Sequence, residues 1–182
     1  MFGKSIIPIL ALCLFVTGCT SLANKGSPYQ EQQNREIKAL SDLEVAGYLT
    51  GKGMGYAKAA ELNNYPGPRH VLDLANELNL SQEQTRQSRA LLDDTQTHAG
   101  QLGEQLVAKE RELNQLFADS MIDDDNLARL LTEISILQTK IRYVHLRAHL
   151  QQKAVLNQQQ LQRYQQLRGY DRQQPNQPHH MH

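Results

Sequence analysis

Apolar positions recur at alternating steps of three and four in two long stretches of this chain. The first carries Leu92, Thr95, Ala99, Leu102, Leu106, Lys109, Leu113 and Leu116; the second carries Leu127, Leu130, Ile134, Leu137, Ile141, Val144, Ala148 and Gln151. That is the 3.5-residue spacing of a helical seam. The two stretches also mirror each other. Leu92 falls opposite Gln151, Ala99 opposite Val144, Leu106 opposite Leu137 and Leu113 opposite Leu130, each pair with the same sum of positions. The pattern predicts two long helices folded back on each other, with the tip near Met121 and Ile122. Asp123 is placed to cap the second helix, and Asp124 and Asp125 put negative charge in its first turn, where the helix dipole favours it.

Local signals divide the rest. Ser41 and Glu44 make a capping box for a short helix, which Gly47, Gly51, Gly53 and Gly55 interrupt. A second short helix is expected over 54–62. Asn63-Asn64-Tyr65-Pro66-Gly67-Pro68 is a break, with Pro68 suited to the first position of a new helix that ends near Asn79. Leu80-Ser81-Gln82-Glu83-Gln84 opens the first long helix: Ser81 caps it and Gln84 reaches back. Leu156-Asn157-Gln158-Gln159-Gln160 repeats the device with Asn157 and Gln160, and Gly169 ends a last helix. The expected organisation is a signal segment (1–18), a flexible tether (19–39), short Gly-interrupted helices (40–66), a hairpin domain (67–169) and a disordered, His-containing tail (170–182).

The fold class is therefore all-α: a long antiparallel helical hairpin with short flanking helices, expected to associate as a dimer. With 5% aromatic residues and no Trp, the core is aliphatic and thin. One hairpin leaves an apolar stripe to be covered by the short helices, by a second copy or by a bound client. Composition and motifs also exclude function classes. The balance of 19 basic and 19 acidic residues shows no basic stripe for nucleic acid. Gly51-Lys52-Gly53-Met54-Gly55 lacks both the Gly-Lys-Ser/Thr ending and the preceding strand of a phosphate loop. No hydrolase or metalloprotease signature is present, so a non-enzymatic role is expected.

The N-terminus carries a targeting pattern. Lys4 precedes an apolar run over 6–16, too short to span a bilayer comfortably. Val16-Thr17-Gly18-Cys19 then resembles the lipobox of bacterial lipoproteins, which implies cleavage before Cys19 and a diacylglyceryl group on its sulfur. Of the 2 cysteines, Cys13 would leave with the signal and Cys19 would be lipidated, so no thiol remains for a disulfide or a thiolate site. Each buried methylene of an acyl chain contributes about 0.8 kcal/mol to anchoring. Thr20, where an Asp would signal inner-membrane retention in such lipoproteins, resembles an outer-membrane address.

The paired motifs at 80–84 and 156–160, one at each end of a hairpin behind an export signal, are similar to the LTxxQ motifs of the Spy/CpxP family. Ser81 and Asn157 replace the motif's Thr, and both still cap. The resemblance implies a periplasm-facing envelope protein whose dimer forms a cradle. Some members are ATP-independent chaperones that hold unfolded clients on a dimeric helical cradle; others restrain a stress-sensing kinase or bind zinc and similar metals. The leading expectation is a holdase that needs no cofactor, and the alternative is a metal-binding sensor or modulator of stress signalling.

Histidines carry the metal question. His145 and His149 share one helix face, the minimum for two ligands on one ion. His98 and Asp94 lie at matching levels across the hairpin but flank the opposite side of the seam, so the set does not close within one hairpin. His145 and His149 either form a zinc or other divalent-metal site completed by a second subunit, or face solvent or a client. His179, His180 and His182 in the tail are further ligands for a loosely held metal. The Cys19 reading has a direct test: Cys19→Ala abolishes lipid labelling and releases the protein from membranes, as read by fractionation.

Overall fold

The computed structural model describes residues 27–170. The chain divides into two units, 1–30 and 31–182; of the first, the described part is a single turn over 27–30. The second consists of a 3-10 turn (Gln32–Asn34) and six helices: α1 (Asp42–Leu49), α2 (Lys58–Glu61), α3 (Pro68–Asp73), α4 (Gln82–Ala118), α5 (Asp124–Val155) and α6 (Gln158–Arg168). There is no strand among the described residues. Cys19, His179, His180 and His182 lie outside the described residues.

The hairpin is α4 and α5. At its tip Ser120 takes a left-handed conformation (φ 55°), and Asp123 Oδ1 accepts the Asn126 N–H at 2.7 Å. Midway, Leu106, Ile134, Leu137 and Ile141 form the aliphatic core, with Leu102, Leu113, Tyr48 and Tyr56 packed on it. Nearer the tip the seam turns ionic. Lys109 bridges Glu112 and Glu133 at 3.0 and 2.8 Å, and Arg129 bridges the same two carboxylates at 2.9 and 3.1 Å.

Toward the open end the seam departs from the strict 3.5-residue pattern. Buried positions after Ile141 are His145, Ala148 and Gln152, not Val144, Ala148 and Gln151; on α4, Gly103 is buried and Leu102 only partly so. A straight helix at 3.6 residues per turn drifts about 20° per heptad against a 3.5 repeat. Over helices this long the drift brings the next residue into the interface. His145, expected beside the seam, therefore lies in it.

The short helices cover one side of the hairpin: α1 packs on α4, α2 on α5, and α3 on both. Of the three occupants considered for the apolar stripe, the chain's own helices take this side. Close backbone approach makes it feasible. A Cβ at Gly103 would collide with the Tyr48 carbonyl oxygen, and one at Gly100 would stand 3.2 Å from that of Leu49. Order also begins earlier than a tether to residue 39 implies. Ile37 is buried with Leu40 and Val107. Glu36 pairs with Arg111 at 2.7 Å, and the Lys38 N–H donates to Asn114 Oδ1 at 3.0 Å. Ile37 and Leu40, three residues apart, supply the apolar surface that docks this segment. Helix α2 is shorter than expected, and α3 stops at Asp73 rather than near Asn79, which is left-handed (φ 48°). Val71 and Leu78 still enter one cluster with Leu156 and Tyr164.

The open end is closed by the two motif glutamines. Both capping boxes form: Ser81 Oγ accepts the Gln84 N–H, Asn157 Oδ1 accepts the Gln160 N–H, and each Gln Oε1 accepts its own N-cap N–H. The two amides then pair with each other. Gln84 Nε2 donates to Gln160 Oε1 at 2.8 Å, and Gln160 Nε2 donates to Gln84 Oε1 at 3.0 Å. The remaining amide hydrogens go to the Val155 carbonyl (2.9 Å) and the Leu78 carbonyl (3.2 Å). Donors and acceptors of both side chains are thus used, which is what burial of an amide requires. Gln160→Ala is expected to cost about 3 kcal/mol, from a lost cap contact, lost hydrogen bonds and orphaned partners. A double-mutant cycle with Gln84→Ala in urea denaturation should return a coupling of about 1–3 kcal/mol.

Candidate functional site

Beside the open-end half of the hairpin the short helices leave a cavity of about 610 Å³. Its walls are the Gly51–Gly55 turn, α2, the start of α3, and the facing sides of α4 and α5. The turn is held close to α4, since a Cβ on Gly51 would collide with the Gln96 carbonyl oxygen and its φ is +61°. The 63–67 break brings the chain back under α5.

His149 is fixed from two directions. Its Nδ1–H donates to the Tyr65 carbonyl at 2.7 Å. The ring lies so near Gly67 that a Cβ there would stand 2.8 Å from His149 Cε1. Lys153 Nζ sits 3.7 Å above the Tyr65 ring centroid and supports the same turn.

His145, one turn earlier, is 6% exposed. Its ring lies parallel to that of Tyr56, centroids 6.2 Å apart, and its Nε2 is buried with no hydrogen-bond partner. Burial, and then the neighbouring His149, holds its pKa below the ordinary 6.5. His70 is also lowered, by burial first and Arg168 second. The readings of His145 and His149 as solvent- or client-facing are both corrected: the drift of the seam buries His145, and the Tyr65–Gly67 turn covers His149.

Sequence reasoning missed Glu61. It is 8% exposed, yet its charge is well compensated. Oε1 accepts the Tyr164 hydroxyl in a short hydrogen bond and the Tyr170 hydroxyl at 3.3 Å, and lies 3.4 Å from Arg168 Nε. Oε2 accepts the Gly67 N–H at 3.2 Å and stands 3.8 Å from His149 Nδ1. Burial and the Glu61 contact push the Tyr164 hydroxyl far above its usual range. A carboxylate in the run Ala59-Ala60-Glu61-Leu62, just before a turn, was the only sequence signal for this role.

The residues do not assemble as a metal site. Among the described residues no group of three His, Cys, Asp or Glu side chains gathers for one ion. Glu61 is already held by tyrosines, a backbone amide and Arg168. His98 is exposed and turns back to the Asp94 carbonyl of its own helix at 2.9 Å. Leu80, Ser81, Gln84, Leu156, Asn157 and Gln160 lie at the base, where their role is structural.

The sequence profile of a family described as "Heavy-metal resistance" matches residues 46–163. The chain belongs to that family. It falls within the Spy/CpxP-like all-helical superfamily, the coarser part of the expected resemblance. No curated protein and no solved structure matches. The match spans the hairpin, both capping motifs and most of the cavity lining, while Tyr164, Arg168 and Tyr170, which hold Glu61, follow it.

The lowered histidines set a pH dependence for this family member. The unfolded chain takes up protons near 6.5 while the folded chain resists, so the histidine contribution is complete above 6.5 and is lost as pH falls below it. Glu112, held low chiefly by Arg129, and Glu133, held low chiefly by Lys109, add a similar loss only below 4.5. Urea denaturation should show stability falling from about pH 7.5 to about pH 5.5. His145→Gln should flatten that slope, whatever its effect at neutral pH.

Proposed function

We propose that this chain is an ATP-independent envelope holdase, tethered through a lipid on Cys19 and facing the periplasm, with the outer membrane favoured. The observation that carries the reading is the outer face of α5. Ile136, Tyr143 and Leu150, seven residues apart, are 48%, 63% and 59% exposed. A step of seven is two turns less about 20°, so the three share one side. They lie nearly opposite the buried stripe of Leu130, Ile134, Leu137 and Ile141. Exposed Arg142 and Arg147 flank them. An apolar strip of this kind, rimmed by polar groups, suits weak and varied contacts with partly unfolded chains. Clients leave by folding, so no nucleotide is called for. A homodimer would extend the strip, and a sensor kinase is a further partner compatible with it.

The second reading is a metal-responsive modulator. The family description and the convergence of His70, His145 and His149 on one cavity favour it, with zinc or another divalent ion bound only if further ligands come from a second copy or from His179, His180 and His182. One experiment weighs both. Aggregation of a denatured client, followed by light scattering, should be suppressed at near-stoichiometric protein, unchanged by ATP or chelator. Ile136→Ser with Tyr143→Ser and Leu150→Ser should abolish the suppression and leave helicity intact. Aggregation curves equal to those of an inert control overturn the holdase, and suppression that needs added zinc transfers the assignment to the second reading.

A further inference from the structure

The cavity beside His145 is unlike the α5 strip, and its chemistry does not match a metal cation. Its inner wall is apolar, built from Ala57, Leu92 and Ala148, and the one buried polar group there without a partner is His145 Nε2. At its rim stand Lys52, Lys58 and Arg69, all exposed. None of the three has an ion-pair partner among the described residues. The single carboxylate lining the cavity, Glu61, is already held by Tyr164, Tyr170, Gly67 N–H and Arg168. Unpaired positive charge at a mouth and a neutralised interior disfavour a cation and favour an anion. An apolar wall disfavours a small hydrated anion such as inorganic phosphate. The size, about 610 Å³, falls in the range of small-molecule sites, about 300–1,000 Å³.

We infer that this cavity binds a small organic acid with an apolar body and a second oxygen function. Its carboxylate lies among Lys52, Lys58 and Arg69, its body lies against Leu92 and Ala148, and its far oxygen meets the imidazole of His145. A neutral His145 suits that contact, because a hydroxyl can either donate to Nε2 or accept from it. The parallel ring of Tyr56 fixes the imidazole plane. Gly53 guards the opening: a Cβ there would stand 3.9 Å from His145 Nδ1, ordinary contact distance, and its backbone is unstrained. A Cβ at 53 is therefore accommodated, and a larger side chain there extends from the cavity lining toward His145.

Calorimetric titration of the full chain in the presence of a chelator tests this. The probes are 3-(4-hydroxyphenyl)propanoate, its analogue without the hydroxyl, and tyramine, which has a similar body and the opposite charge. The hydroxylated acid should bind, the unhydroxylated acid should bind about tenfold more weakly, and tyramine should not bind. Lys52→Gln with Lys58→Gln and Arg69→Gln should weaken the acid about tenfold. His145→Phe should erase the preference for the hydroxyl. Gly53→Leu should abolish binding while the circular dichroism spectrum and melting temperature stay unchanged. Absence of binding by either acid, equal binding of tyramine, or binding indifferent to Gly53→Leu overturns the assignment. These outcomes are independent of client aggregation, so the holdase reading stands or falls separately.

Discussion

The reciprocal amide pair between Gln84 and Gln160 is the interaction on which the arrangement of helices depends. Each glutamine caps its own helix, so it is already rigid when it meets the other. Each then bonds a carbonyl of a third segment, Val155 at the end of α5 or Leu78 after α3. Four chain segments are thus tied at one point by groups that would be costly to bury singly. The aliphatic cluster of Val71, Leu78, Leu156 and Tyr164 packs beside it and draws these segments out of water. Hydrophobic burial supplies the drive there; the amides decide which ends meet.

A second constraint is how near α1 and its following turn come to α4. Gly100 and Gly103 present bare backbone to the carbonyls of Leu49 and Tyr48, which lets a third layer lie against a two-helix seam. That layer is thin. The cavity is bounded by the Gly51–Gly55 turn, held against Gln96 of α4, and by Gly67, which lies against His149 of α5. The same geometry withdraws His145 and His149 from solvent.

The hairpin is also graded along its length. Its middle is aliphatic, its tip end closes with the Lys109–Glu112–Arg129–Glu133 network, and its base half carries buried Ser88, Thr95, His145 and Gln152. Of these, Ser88, His145 and Gln152 have side-chain atoms with no hydrogen-bond partner. Unpaired buried polar groups weaken packing, so the base relies on the glutamine lock and the α3–α6 cluster. The proposed holdase strip lies on the outer face of α5, and the proposed small-ligand cavity lies against the polar half of the seam.

Much of this was legible in the sequence. The mirrored steps of three and four fixed a hairpin, because an amphipathic stripe must face another stripe. Ser41, Ser81, Asn157, Pro68 and Gly169 marked helix ends through local hydrogen bonding and backbone limits, which act over a few residues and survive any tertiary context. The two LTxxQ-like motifs were visible as caps, but not as partners; nothing in a linear pattern says that two capping amides share their hydrogens. Tertiary structure alone decided three further matters. It moved the seam from Val144 to His145, because drift accumulates over a long helix and the covering layer selects the buried edge. It docked Ile37, which fell within the expected tether, beside Leu40, because Val107 and Arg111 lie opposite this segment. And it gathered Glu61, His70, His149 and Tyr170 around one cavity, with Tyr164 and Arg168 set on the Glu61 carboxylate: charge compensation at a buried carboxylate is a property of three-dimensional neighbours, and sequence spacing carries no trace of it.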